Sequence, residues 1–241
     1  MNNKLITFIL IISIIILTIF LFTNNKKTKT HNFKEIKKLA VLVNKNISGT
    51  FYCGCKINWH GYRGIPELLS CGYRVRSNYL RANRIEWEHI VPAWKFGHNM
   101  KCWLHGGRKN CNNDYNYQKI ATDLHNLQPV IGEINADRKN YEYNQWISNY
   151  GSYYGNCKIK INFKTKQVDP PVTTRGIIAR TYLYMHDKYH IILSNQQLLL
   201  FHKWNILYPV TKWECYRNKR ITLIQGNSNP YIEQACKNKN Y

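Results

Sequence analysis

Residues 84–94, RIEWEHIVPAW, decide the fold, because a strand-like pattern there carries several ionisable side chains. We predict a short strand over Arg84–Val91 and a turn or loop at Pro92, which has no N–H to donate to a strand ladder. Glu88 and His89 are neighbours, and neighbouring side chains of a regular strand point to opposite faces. If both serve one site, we expect the chain to leave regular strand geometry near residue 89, through a bulge or the start of a loop.

A second segment, residues 123–138, reads DLHNLQPVIGEINADR. We predict an extended piece over Asp123–Val130 that leads into a helix from about Ile131 to Tyr150, ended by Gly151. Two side chains on this helix, Arg138 and Glu142, are four residues apart and therefore spaced to pair with each other. The two segments together predict a strand, a loop, a strand and a helix.

The rest of the chain contains no repeat and no interdomain linker, which predicts one α+β domain over residues 31–241. Helical periodicity over 33–43 predicts a helix. The other predictions are an irregular disulfide-stapled region at 48–80, a polar loop at 97–120, a strand over 158–168 and helices over 174–193 and 195–207.

The charge of the chain points to a polyanionic partner. There are 35 Lys and Arg against 13 Asp and Glu, a net charge of +22, and 44% of the 241 residues are hydrophobic. That apolar content excludes a disordered basic tail. Nucleic acid is the first candidate partner and an anionic membrane surface the second. A lysine bias of an AT-rich genome would also give this composition.

The N-terminus and the cysteines indicate export. Leu5–Phe22 is an apolar run followed by basic residues, so residues 1–30 are predicted to be a signal peptide or an uncleaved signal anchor with a basic linker. All eight cysteines lie beyond it, an even number that suits four disulfides in an oxidising compartment. Their spacing does not resemble a zinc module, and Cys102–Cys111 is the pair we predict first. The protein is therefore expected to be periplasmic or secreted, with contact to the membrane through the N-terminal segment if that segment is retained.

Segments 84–94 and 123–138 closely resemble bacterial endonuclease I, a family of periplasmic or secreted nucleases in the His-Me finger (ββα-metal) superfamily. The resemblance continues through residues 180–185, 208–215 and 224–231 and covers about 48–236. It implies a ββα-metal finger and cleavage of double- and single-stranded DNA, and often of RNA. It also implies residue roles: His89 as general base, Glu88 and Asn135 as metal ligands, and Arg108 as the residue that holds the phosphate.

Elementary chemistry supports these assignments. Phosphodiester hydrolysis needs an activated water, charge relief on the phosphate and stabilisation of the leaving oxygen. A neutral His89 can supply the first, and one Mg²⁺-type ion, held by the oxygen ligands Glu88 and Asn135, can supply the others. Mn²⁺ and Ca²⁺ take the same ligands. Taken alone, Asn135 is as easily read as a helix cap and Arg108 as a solvated loop charge.

Glu86, His125 and Asn126 are expected to orient the finger from behind the ligands, as metal sites usually require. No motif for reading base sequence appears, so we predict a monomer that grips phosphates without sequence preference. The alternative is a catalytically silent envelope protein that captures DNA with the same basic surface.

Overall fold

The computed structural model describes residues 33–45 and 49–238 and is of the α+β class, as predicted. Its α-helices are α1 (Phe33–Asn44), α2 (Tyr79–Ala82), α3 (Ala93–Gly97), α4 (Lys101–Leu104), α5 (Gly107–Asn110), α6 (Tyr115–Ala121), α7 (Gly132–Arg138), α8 (Val172–Tyr189), α9 (Asn195–Leu207), α10 (Lys212–Gln225) and α11 (Pro230–Asn238). Its strands are β1 (Ile57–His60), β2 (Arg63–Pro66), β3 (Ile85–His89), β4 (Leu127–Ile131), β5 (Glu142–Tyr143), β6 (Lys160–Asn162) and β7 (Gln167–Asp169). The predicted export segment, residues 1–30, lies outside the described residues.

Strands β3 and β4 form a two-stranded antiparallel sheet, and α7 follows β4 directly. Glu88 pairs with Gln128 and His89 with Leu127, so the register is regular to the end of β3. The first residue of α7, Gly132, lies next to the start of β3, since its N–H donates to the Arg84 backbone oxygen at 2.9 Å, and a Cβ on it would come within 2.7 Å of the Arg81 backbone oxygen in α2. This close approach sets the distance between β3 and the helix that carries Asn135.

The predicted long helix after residue 131 is wrong beyond Arg138. Lys139 adopts a φ of 52°, which ends the helical geometry of α7. Glu142 and Tyr143 then form strand β5, parallel to β7, and Tyr143 is buried against Tyr182. The predicted Arg138–Glu142 pair is therefore also wrong, and Glu142 contacts Lys95 instead (Oε1 to Nζ, 3.4 Å).

Two regions predicted to be irregular contain regular structure. Residues 57–66 form the β1–β2 hairpin. Residues 97–120, predicted to be a loop, contain short helices, of which α6 is capped by Asp114 accepting from the backbone N–H of Tyr117 (2.8 Å). The predicted 158–168 strand is in fact the β6–β7 hairpin.

The C-terminal part of the chain is helical. The prediction for α9 is confirmed, and α8 ends at Tyr189, earlier than predicted, because His190 adopts a φ of 55°. Helices α10 and α11 were not predicted. No helix within residues 33–45 and 49–238 combines the length and the apolar character that crossing a bilayer requires.

Four disulfides pair all eight cysteines, which confirms the prediction from their number. They join Cys53 to Cys157, Cys55 to Cys71, Cys102 to Cys111 and Cys215 to Cys236. The predicted Cys102–Cys111 pair is therefore confirmed. It closes the short segment that contains α4 and α5, and α5 carries Arg108.

Candidate active site

A cleft of about 810 Å³ runs along β3. Among the described strands β3 pairs with β4 alone, so its other edge is free, and each residue of 84–89 borders the cleft. Of the two alternatives expected near residue 89, the structure has the start of a loop and not a bulge: β3 stays in register through His89, and the loop starts directly after it. Glu88 and His89 contact different neighbours, as strand alternation requires, yet both border one cleft because the open edge of β3 faces it.

His89 is buried and held in one tautomer. Its Nε2 lies 2.7 Å from the backbone oxygen of Ala121, which can only accept, so Nε2 carries the proton and the neutral ring has its lone pair on Nδ1. The ring stacks on Phe33 of α1 at 5.8 Å and lies against Phe96. Burial, reinforced by the charge of Arg108, lowers the pKa of His89 to about 4. The imidazole is therefore neutral at pH 7 and able to accept a proton.

Glu88 is a buried carboxylate with two partners on one oxygen. Tyr52 Oη–H donates to Glu88 Oε1 (3.1 Å), and Arg138 Nη1 lies 3.3 Å from the same atom. Tyr52 is in turn hydrogen-bonded to Tyr143. Burial raises the pKa of Glu88, and Arg138 acts against that rise. The net effect raises the pKa of Glu88 to about 7, so the carboxyl is partly ionised at pH 7, and the charge of Arg138 keeps the pKa from rising further.

Asn135, half-buried on α7, has its amide orientation fixed by Glu86. The amide Nδ2 donates to Glu86 Oε2 at 2.9 Å, which leaves Asn135 Oδ1 as the free acceptor. Glu86 also accepts from Arg81 Nε (3.0 Å) and Arg84 Nε (2.9 Å). Burial acts to raise the pKa of Glu86, but these two guanidinium groups outweigh it and lower the pKa. Glu86 thus remains ionised and holds the amide.

The structure places the other residues named from sequence at different distances from the cleft. Arg108 is exposed on α5 and borders the cleft. Asn126 clamps the loop after His89, because its Oδ1 accepts from Val91 N–H (2.7 Å) and its Nδ2 donates to Val91 O (3.0 Å). His125 does not border the cleft: it is buried beside Tyr184, with Nε2 donating to Asn227 O at 3.1 Å.

Arg138 is a residue whose role sequence reasoning missed. It is buried, 1% exposed, and lies three residues after Asn135 on α7. Besides its ion pair with Glu88, Nη1 donates to His89 O (3.0 Å) and Nη2 to Ile90 O (2.6 Å). One guanidinium group therefore connects the carboxylate of Glu88 to the backbone of His89. The i+3 spacing from Asn135 was a signal, since it places both side chains on one side of the helix.

The border of the cleft is cationic. Glu86 and Glu88 are outnumbered there by six basic side chains: Lys37, Arg63, Arg84, Arg108, Arg138 and Lys139. Clustered cations raise the local concentration of a polyanion and hold its charged groups. An enzyme that hydrolyses a polyanion needs such cations together with a base that is neutral at pH 7, and this cleft supplies both.

Comparison with known proteins gives the class and the family. A model of the family described as Endonuclease I matches residues 24–236, so the chain belongs to the endonuclease I family and is a nuclease. It is 56% identical to "Endonuclease-1" of Buchnera aphidicola subsp. Baizongia pistaciae (strain Bp), over 96% of this chain and 98% of that one. It is 45% identical to "Periplasmic deoxyribonuclease" of Aeromonas hydrophila (91% of this chain, 93% of that one) and 51% identical to an "Extracellular deoxyribonuclease" of the same organism (78% and 82%).

Proposed function

We propose that the chain is a metal-dependent, sequence-non-specific endonuclease that hydrolyses the phosphodiester bonds of DNA and also of RNA. The observation that carries the proposal is the bond from His89 Nε2–H to Ala121 O, which leaves an unprotonated Nδ1, able to accept a proton, in a cationic cleft. The relatives named as deoxyribonucleases support DNA as substrate. We assign β3, β4 and α7 as the ββα-metal finger of the His-Me superfamily.

Glu88 and Asn135 are the ligands we assign to one divalent cation. Within the described residues, no three His, Cys, Asp or Glu side chains gather as a metal site. Mg²⁺ needs no such group, since it keeps several waters and is commonly held by one or two protein oxygens together with substrate phosphate. Tyr52 and Arg138 both contact Glu88 Oε1, so Oε2 is the oxygen we assign to the ion, beside Asn135 Oδ1. Mn²⁺ and Ca²⁺ also accept oxygen ligands.

The oxygens of Glu88 and Asn135 suit a divalent cation, and the protein's own residues supply the rest of the chemistry. When bound, the cation is a Lewis acid that neutralises charge on the phosphate and the leaving 3′-oxygen. His89 Nδ1 takes a proton from the attacking water, while the bond to Ala121 O keeps the ring oriented and stabilises the imidazolium that forms. Arg108 holds a phosphate oxygen pair with its planar donor fork.

The chemistry explains why both DNA and RNA are expected. The nucleophile is a water activated by His89, so the 2′-hydroxyl of the sugar is not needed for the reaction. The cations at the cleft bind phosphates, which the two polymers share. Four disulfides and the relatives named as periplasmic and extracellular support export.

A plasmid-nicking assay tests the proposal. We expect the wild-type protein to nick and linearise supercoiled DNA in Mg²⁺ and to be inactive in EDTA. His89→Ala should lower the rate by about 10²–10⁴-fold, the usual contribution of a general base. His202→Ala, at an exposed histidine on α9, is the matched control and should keep wild-type activity. A wild-type protein that binds DNA without cutting it, or cleavage unaffected by His89→Ala, would overturn the proposal.

A second readout tests the metal ligands without relying on activity. A ligand that binds the folded state alone stabilises it by about 2.7 kcal/mol at 100 times its dissociation constant. Saturating Mg²⁺ should therefore raise the thermal midpoint of the wild-type protein, and the rise should be lost in Glu88→Gln and reduced in Asn135→Ala. An equal rise in all three proteins would show that these residues do not hold the ion.

A further inference from the structure

A second cleft, of about 420 Å³, adjoins the first. The two share border residues, Arg108, Asn135 and Lys139 among them, so a chain of phosphates held at Arg108 can continue from one into the other. The second cleft has two tryptophans at its border, Trp94 of α3 and the less exposed Trp103 of α4. Nothing in the hydrolytic chemistry proposed above uses either indole.

Trp94 is exposed and rigidly backed. The indole is 47% exposed, which is unusual for tryptophan in a folded protein. One face is covered by the imidazole of His98, with the ring centroids 3.9 Å apart and the planes 8° from parallel. His98 is itself fixed, because its Nδ1–H donates to the Trp94 backbone oxygen at 2.7 Å. The result is a flat aromatic surface whose conformation is already set and about half of which is exposed.

The surroundings suit a nucleotide. Arg81, Arg108 and Lys139 border the same cleft and can contact the phosphates on either side of a base. A flat aromatic ring beside cations is the arrangement with which proteins hold single-stranded nucleic acid without reading its sequence, since every base has a π-face. A base inside a duplex is already stacked and must first leave its neighbours, which costs a few kcal/mol.

We propose that Trp94, backed by His98, is a stacking platform for a nucleobase next to the phosphate held at Arg108, in a single-stranded or locally unstacked stretch of substrate. This rests on the proposed function, since it takes the first cleft as the site of cleavage. Stacking on an aromatic side chain contributes about 1–3 kcal/mol per base, or about 5- to 160-fold in affinity. Trp94 should therefore favour single-stranded over duplex substrate.

The test compares two fluorescently labelled probes of equal length, a mixed-sequence single-stranded oligonucleotide and an abasic sugar–phosphate strand. Both are bound to the full chain carrying His89→Ala, in Mg²⁺, and followed by fluorescence anisotropy. The phosphates are the same in both probes, so the ratio of the two dissociation constants isolates the contribution of the bases. We expect the oligonucleotide to bind at least about 5-fold more tightly than the abasic strand.

Adding Trp94→Ala should bring that ratio close to one, while Trp94→Phe, which keeps a smaller ring, should retain most of it. Tyr115→Ala removes an aromatic side chain that is 53% exposed and borders neither cleft, and should leave the ratio unchanged. A ratio that Trp94→Ala does not change, or a ratio of one before that substitution, overturns the platform. Plasmid nicking by the protein that carries Trp94→Ala alone, with His89 intact, then shows whether the endonuclease assignment stands without the stacking platform.

Discussion

Replacing Arg138 with methionine should destabilise the fold far more than the loss of one surface charge. The guanidinium group is buried, lies 3.3 Å from Glu88 Oε1 and donates to the backbone oxygens of His89 and Ile90. Methionine fills similar space but supplies no charge and no donor. Glu88 would then be a buried carboxylate that retains the Tyr52 hydroxyl as a partner but no counter-charge.

The expected cost follows from these contacts. Removing one partner of a buried ion pair costs about 3–5 kcal/mol, because the other group stays desolvated and must either keep an uncompensated charge or take up a proton. The two orphaned carbonyls would add up to about 1–3 kcal/mol each if water cannot reach them. We therefore expect Arg138→Met to lower the free energy of unfolding by at least about 3 kcal/mol. Since folded domains are stable by about 5–15 kcal/mol, that is a large fraction of the total.

Urea unfolding of single and double variants measures the effect. Glu88→Gln removes the charge but keeps an oxygen for Tyr52, so Arg138→Met combined with Glu88→Gln should be more stable than Arg138→Met alone by about 2 kcal/mol. Arg74→Met, at an exposed arginine, is the control and should change stability by less than about 0.5 kcal/mol. If Arg138→Met costs no more than this control, or if the double variant is the less stable one, Arg138 does not compensate Glu88.

Two further predictions concern stability. Burial lowers the pKa of His125 to about 4, whereas the unfolded chain has a pKa near 6.5 at this residue and therefore binds the proton more readily. The resulting contribution to the free energy of unfolding is complete above pH 6.5 and is lost as the pH falls toward 4. It amounts to about 3 kcal/mol in all. His125→Gln should reduce the fall in urea stability between pH 7.5 and 4 by that amount, and an unchanged slope would contradict it. The Cys53–Cys157 disulfide closes 104 residues and Cys215–Cys236 closes 21, so loop entropy predicts losses of about 4.7 and 3.3 kcal/mol when each pair is replaced by serine. Equal thermal destabilisation of the two serine pairs would show that loop length does not set the difference.

The sequence predicted which residues lie near one another better than it predicted the secondary structure around them. Glu88, His89 and Asn135 sit in two short motifs and Arg108 lies between those motifs, and the structure places all four at the border of one cleft. It does not bring His125 there. The contribution of Arg138 was not predicted because it depends on burial, and sequence spacing pointed to Glu142 instead. Whether a charged side chain on a short helix faces solvent or a buried carboxylate is decided by packing across elements that are distant in sequence.

The errors in secondary structure have local physical causes. The helix predicted to reach Tyr150 ends at Arg138 because Lys139 takes a positive φ, which the identity of a lysine does not signal. Helix α10, by contrast, carried signals that could have revealed it. Thr211 and Glu214 form a capping box at its start, and Gly226 ends it with a left-handed φ of 83°. The backbone of Lys139 sets the first boundary without a sequence signal, and local capping sets the boundaries of α10.

The acidic residues explain how a strongly basic chain forms a compact interior. Six of its 13 carboxylates are buried, and each has donors close by: Glu88, Asp123, Glu133, Asp137, Asp169 and Glu214. Several of those donors are tyrosine hydroxyls, which supply a hydrogen bond without a second charge. Because these carboxylates lie in the interior, they do not offset the positive charge of the lysines and arginines on the surface. Burying the acidic groups with their donors therefore leaves a basic outer surface that attracts phosphates. Substrate binding should consequently weaken steeply as salt is added.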